Sequence, residues 1–152
     1  MICGIDPGAK GAIAWLSRDG HLIDVQDMPA IEVRGKLRVS AAGVAALLKA
    51  RVPNLVVIEG VSAMPKQGVA STFTFGYAAG LIEGVAAGMG VPVQIVRAAD
   101  WKRKAGVPAD KGAARQMAVR LWPGAADVFK RVKDDGRAEA CLMGRWAALH
   151  SC

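Results

Sequence analysis

Short apolar runs separated by turn residues open the chain, and apolar positions at helical spacing dominate its second half. Met1 to Ile5 is apolar and ends at Asp6-Pro7-Gly8, a turn sequence. Gly11 to Leu16 is apolar again until Arg18-Asp19-Gly20 turns the chain once more, and His21 to Met28 alternates as a third strand. Three short strands joined by tight turns predict an antiparallel meander. Ser40 is placed to cap a helix carrying Val44, Leu47 and Leu48 to Lys49, with Pro53 closing it. Leu55-Val56-Val57-Ile58 is a continuous apolar run, the pattern of a strand buried on both faces, and Glu59 follows it directly.

The remaining pattern predicts a long Ala- and Gly-rich helix over Ser71 to Met89 and a strand over Pro92 to Val96. Helices follow around Trp101, from about Asp110 to Leu121, and from about Gly136 to Leu149. An α/β domain with a mixed five-stranded sheet fits this order: three antiparallel strands, then two added by crossovers, flanked by helices. A chain of 152 residues with no repeat or linker is expected to form a single domain over residues 1–152. Asp6 and Glu59 both fall at strand C-termini, where ligand sites of such sheets tend to lie.

The formal net charge is +7, but it is unevenly spread. Residues 1–96 carry 8 basic and 7 acidic side chains, against 11 and 5 in residues 97–137. A regional excess of this kind suits a surface that binds a polyanion, and equally a solvated face that maintains solubility. Cys3, Cys141 and Cys152 include no C-x-x-C pair, so neither a zinc knuckle nor a disulfide framework is expected. Asp6 and Lys10 interrupt any signal-peptide core, and Glu83 with several glycines and Pro92 breaks the least polar stretch, Tyr77 to Val96. A soluble protein of a reducing compartment, the cytoplasm of a bacterial or phage-infected cell, with no membrane association, is the expectation.

A carboxylate at the end of an apolar strand is expensive to bury without a partner, a metal or solvent. On adjacent strands, Asp6 and Glu59 would repel each other until a divalent cation joined them. Read singly, Asp6 before Pro-Gly also suits a turn, and Glu59 an ordinary strand end. A third acidic element, Asp134-Asp135-Gly136-Arg137-Ala138-Glu139, opens the last helix. Asp135 and Glu139 are four apart and share a helical face, whereas Asp134 and Glu139 diverge. Asp134 and Asp135 also suit helix-start chemistry, but apolar Ala138, Ala140, Cys141, Leu142 and Met143 surround Glu139. Carboxylates from two strand ends and one helix, beside a basic region, point to phosphodiester hydrolysis with two ions, Mg²⁺ or Mn²⁺. His21 and His150 are the only histidines, and neither is placed for a nucleophilic triad.

Four stretches in order, Gly4-Ile5-Asp6-Pro7-Gly8, Val57-Ile58-Glu59-Gly60, Ala99-Asp100-Trp101-Lys102 through Asp110-Lys111, and Asp135-Gly136-Arg137-Ala138-Glu139-Ala140, resemble the RuvC-type Holliday-junction resolvases of the RNase H-like superfamily, and more closely their short phage and bacterial relatives. The resemblance implies a homodimer that makes paired, metal-dependent nicks across branched DNA. It also implies Asp6, Glu59 and Glu139 as metal ligands, with Glu139 where the family usually has its final Asp. The family's other C-terminal ligand falls at Gly136 here, which leaves Asp135, and Asp134 as second choice, for the fourth position. Lys102 and Lys111 resemble the family's catalysis-supporting lysines, and Lys102, Arg103, Lys104, Lys111, Arg115, Lys66 and Met64 are the candidate DNA contacts.

Where RuvC proteins often carry a junction-stacking aromatic, this chain has Ser62 and then Met64. Met64 and the Phe73 and Phe75 pair are the candidate substitutes for it, with core or dimer packing as the other reading of Phe73 and Phe75. Gly76, Gly80 and Gly84 mark one face of the long helix, for a partner's backbone or for the chain's own sheet. Gly4 to Gly11 also resembles the first phosphate loop of the sugar-kinase, Hsp70 and actin fold, but that fold needs two lobes. A basic nucleic-acid-binding domain without catalysis, or a related nuclease acting on RNA or replication forks, are the other readings.

Overall fold

The computed structural model describes residues 1–60 and 68–150. Its centre is a five-stranded sheet in the order β3-β2-β1-β6-β7, made of β1 (Ile2–Asp6), β2 (Ala12–Leu16), β3 (Leu22–Asp27), β6 (Leu55–Gly60) and β7 (Val93–Arg97). The meander β1-β2-β3 pairs antiparallel, and β6 and β7 add in parallel beside β1, as the order of apolar runs predicts. The turn at Asp6-Pro7-Gly8 closes where the Gly11 N–H donates to the Gly8 carbonyl at 2.8 Å.

Strand alternation divides the core in two. Cys3, Ile5, Ile13, Trp15, Val56 and Ile58 face α1 (Ala41–Ala50) and α2 (Val69–Gly88), which bring Val44, Leu48, Ile82 and Ala86. Ile2, Ala12, Ala14, Leu16 and Val57 point the other way, toward α3 (Ala98–Ala105), α4 (Ala113–Leu121) and α5 (Asp135–His150). Ser40 caps α1 as expected, its hydroxyl accepting from the Gly43 N–H at 3.1 Å. Cys3 and Cys141 are buried free thiols, and burial pushes both far above the ordinary thiol range. Cys152 lies outside the described residues.

Residues 30–39 depart from the predicted pattern. They form a separate two-stranded hairpin, β4 (Ala30–Val33) and β5 (Lys36–Val39), turning at Arg34-Gly35. Its signal is weak because the turn lacks the usual Asn-Gly or Asp-Gly: Arg34 itself adopts a left-handed φ of 51°, followed by Gly35 at 72°. The span between α4 and α5 is likewise not bare loop, holding 3₁₀ segments at Pro123–Phe129 and Val132–Asp134.

α5 lies across β1 and β2 because small residues let the backbones meet. A Cβ on Gly4 would stand 2.2 Å from the Ala140 carbonyl oxygen and 2.8 Å from the Gly144 nitrogen. One on Gly144 would strike Leu16 Cδ1 at 2.5 Å. The Gly4→Ala variant is therefore expected to lose about 2–3 kcal/mol or more of stability in urea unfolding, the upper range for overpacking against backbone atoms.

Candidate active site

Period-two alternation on β1 puts Asp6 on the same side as Ile2 and Gly4, and on β6 puts Glu59 on the same side as Leu55 and Val57. Both carboxylates therefore face α5. The parallel register pairs Ile5 with Ile58, and its next step sets Asp6 beside Glu59. α5 then contributes Glu139, one turn after Gly136, whose own Cβ would lie 2.8 Å from Asp6 Oδ2. α3 closes the group with Trp101 and Lys102. The Trp101 indole N–H donates to Glu59 Oε1 at 3.2 Å, and Lys102 Nζ donates to Glu139 Oε1 at 2.6 Å.

The electrostatics follow from burial and like charge. Burial pushes the Asp6 carboxyl up to about 7; the negative charges of Glu139 and Glu59 add to the rise, while the Gly8 N–H and Lys102 oppose it. Glu59 is also raised, by burial and then by Glu139, against the pull of Lys102 and of the Trp101 hydrogen bond. Burial pulls the Lys102 ammonium down, but its bond to Glu139 and the fields of Glu139, Glu59 and Asp6 outweigh that and raise it. Among the described residues no three acidic, His or Cys side chains converge on one ion position as they stand. Glu59 is held by Trp101 and Glu139 by Lys102, so the ammonium occupies the neutralising role that a cation would take. The all-oxygen donor set fits a hard divalent ion, provided Lys102 and the Asp6 proton yield.

Other candidate residues sort differently. Asp135 is not drawn into the cluster: it pairs with Arg115 at 2.5 Å, and no charge effect on Asp6 or Glu59 comes from it. The shared helical face with Glu139 is real, but Arg115 of α4 claims the carboxylate. Asp134 is buried at 1% exposure and takes the Arg131 backbone N–H and guanidinium, closing the 3₁₀ turn before α5. At Gly136, Asp6, Gly11 and the Lys10 carbonyl leave no room for a side chain, all lying within about 3.1 Å of where a Cβ would be.

Arg103 pairs with Asp100 at 3.4 Å, and Lys104 lies over the Trp146 ring. Lys111 is exposed before α4 and makes no ion pair among the described residues. Met64 and Lys66, with Ser62, lie outside the described residues. Phe73 is 74% exposed, which removes it from the core, while Phe75 is half-buried. His21 pairs with Asp19 at the surface and His150 contacts the Trp146 carbonyl, so neither approaches the carboxylates. The sequence reading missed Trp101 as a site residue. Its signal was chemical: a buried indole N–H needs an acceptor, and Lys102 beside it already belonged to the site.

A five-stranded sheet of this order, with carboxylates at the adjacent ends of β1 and β6 and a C-terminal helix across them, is an RNase H-like architecture. Among solved structures it is similar to that of RuvC. Thermus thermophilus RuvC in complex with a Holliday-junction substrate matches with a TM-score of 0.64 and 16% identity, over 99% of this chain and 94% of that one. A second structure of Thermus thermophilus RuvC matches with a TM-score of 0.64 and 18% identity over the same shares. The yeast mitochondrial Holliday-junction resolvase Ydc2 matches with a TM-score of 0.50 and 14% identity, over 97% of this chain and 80% of that one. Among curated proteins, the chloroplastic Holliday junction resolvase MOC1 of Chlamydomonas reinhardtii is 32% identical over 91 residues, 59% of this chain. The match spans only 10% of the length of that relative. No protein-family model matches the chain. The predicted mixed sheet and the resemblance to RuvC both stand at the level of fold.

Asp6 should hold its proton to about pH 7 in the metal-free protein. The folded state then binds more protons than the unfolded one between the ordinary Asp value and 7, so this group's contribution to stability falls as pH rises through that window. Relative to Asp6→Asn, wild type is expected to lose stability from pH 4 to 7 without metal. Affinity for Mg²⁺ or Mn²⁺ should climb over the same range, with proton release seen by calorimetry in buffers of different ionisation enthalpy.

Proposed function

We propose that this chain is a metal-dependent endonuclease that resolves four-way DNA junctions by paired, symmetric nicks. The observation that carries this reading is the stacking of Asp6, Glu59 and Glu139 at one end of a RuvC-type sheet, with Lys102 as their counter-charge. Asp6, Glu59 and Glu139 would hold two Mg²⁺ or Mn²⁺ ions. Bound there, the ions would lower the pKa of an attacking water and stabilise the leaving oxygen.

The chain's own residues prepare that chemistry. Trp101 fixes the Glu59 carboxylate with its indole N–H, and Lys102, drawn off Glu139, becomes available for a phosphate oxygen. Asp135 in this reading orients Arg115 toward the substrate rather than holding metal. The RuvC structure with junction DNA and the name of the chloroplast resolvase support branched DNA as substrate.

The proposal includes a homodimer built on α2. Ala78, Ile82 and Ala86 turn inward, whereas a Cβ on Gly76, Gly80, Gly84 or Gly88 would meet nothing within 4 Å. Among the described residues the glycines thus serve no packing in their own chain, and Val69, Phe73 and Tyr77 add exposed apolar surface to the same helix. Two active sites related by a twofold axis would make the two nicks symmetric.

Glu59→Gln should reduce junction cleavage by about 10³-fold or more, beyond the 10–100-fold typical for losing an outer partner of a metal ligand, while leaving junction binding intact. Symmetric nicks confined to a labelled four-way junction, and lost in EDTA, are the expected result. Efficient cutting of an RNA hairpin with none of the junction would overturn the proposal. Gly80→Ala should leave the monomer fold unharmed or stabilise it by roughly 0.5–1 kcal/mol. Gly80→Leu should shift sedimentation from dimer toward monomer, and an unchanged dimer would place the interface elsewhere.

A further inference from the structure

Of the eleven basic side chains in residues 97–137, seven carry an ion pair, while Lys104, Lys111, Arg120 and Lys133 form none among the described residues. Arg97 and Arg103 pair with Asp100, Lys102 with Glu139, Arg115 with Asp135, and Arg131 with Asp134. On the β4–β5 hairpin no cation is paired among the described residues. Arg34, Lys36 and Arg38 are exposed and form no ion pair among the described residues, and residues 61–67 contain no acidic side chain that could supply one. The one acid of the hairpin, Glu32, stands opposite Leu37, so strand alternation puts it on the face away from Lys36 and Arg38.

Placement gives these cations a direction. Leu37, Arg38 and Val39 share a cavity of about 740 Å³ with Gly8, Ala9 and Lys10, the loop that leaves Asp6. Lys10 is exposed and without an ion pair among the described residues, while its backbone carbonyl lies against Gly136 beside the Asp6 carboxylate. Across the cavity Arg38 stands over the Tyr77 ring. An unneutralised basic row therefore runs from the hairpin tip to the edge of the acidic site. At the tip, Arg34 occupies a left-handed position where Asn, Asp or Gly would be unstrained, so the turn carries a long cation at conformational cost.

We propose that the β4–β5 hairpin is a second DNA-backbone contact, in which Arg34, Lys36 and Arg38, continued by Lys10, hold phosphates of the strand entering the acidic site. The occupant follows from charge complementarity with a polyanion and from continuity with the site proposed to cut it, and the inference rests on the nuclease reading. The hairpin binds by counterion release and reads no base edges, so it would add affinity and orientation without sequence preference.

The test compares two double variants that each lower the net charge by two. Arg34→Gly with Lys36→Ala changes the hairpin and keeps its turn. Arg18→Ala with Lys49→Ala changes exposed cations elsewhere, Arg18 in the β2–β3 turn at the opposite end of the sheet from Asp6. Binding of a fluorescent four-way junction is measured by anisotropy in Ca²⁺ from 50 to 300 mM salt, and cleavage is followed in Mg²⁺.

The hairpin variant is expected to bind about tenfold more weakly, with a salt slope shallower by roughly 0.9 for each phosphate it no longer neutralises. Its single-turnover cleavage at sub-saturating protein should fall in step with the lost affinity, and its melting temperature should be unchanged or raised. Equal affinity and salt slope in the two double variants would overturn the inference while wild-type cleavage leaves the nuclease reading standing. A wild type that neither binds nor cuts junction, fork or duplex DNA would instead remove the nuclease reading on which the hairpin assignment rests.

Discussion

The backbone of α5 rests directly on β1, and the site depends on that contact. Gly4 and Gly144 remove the side chains that would separate helix from strand, and Gly136 does the same against Asp6 one turn before Ala140. The helix is thereby pinned along β1, with Ala140 over Gly4 and Gly136 over the strand's carboxylate. Glu139 enters the space above Asp6 and Glu59 as a consequence. A methyl group at any of the three glycines would lift the helix and move Glu139 away from the strand ends.

Pressing three carboxylates together in a half-buried space creates an electrostatic problem that the surrounding residues answer locally. Asp6 keeps a proton to about 7, Glu59 takes the Trp101 indole, and Glu139 takes Lys102. Each answer is reversible. A proton, a neutral donor and a flexible ammonium can all give way to a divalent ion, whereas a buried Arg fork would not. Asp134 and Asp135 show the contrasting arrangement, since Arg131 and Arg115 hold them in guanidinium pairs that stabilise the entry to α5.

Among the described residues two surfaces stand out for having few partners in the single chain, and they differ in chemistry. The outer face of α2 is bare and apolar, suited to a second copy of the same helix. The hairpin and Lys10 form a basic edge next to the acidic site, suited to a phosphate backbone. On the proposed function these surfaces divide the work: one would set the symmetry of the two cuts, the other would help hold a strand at each of them.

The alternation and turns of the first 28 residues, the apolar run before Glu59 and the Ser40 cap determined the meander, the buried parallel strand and α1 from sequence alone, because those signals are local. Asp6 and Glu59 were legible as candidate site residues for the same reason: each ends an apolar strand, where a carboxylate has no cheap local partner. The hairpin was not legible, since Arg34-Gly35 lacks the usual turn residues and of its side chains only Val39 enters the core. Only the tertiary structure could separate Glu139 from Asp135. Both sit on one helical face, and the difference is that α4 delivers Arg115 to one while α3 delivers Lys102 to the other. Sequence spacing records which side chains can share a face, but the charge that meets each of them arrives from another element.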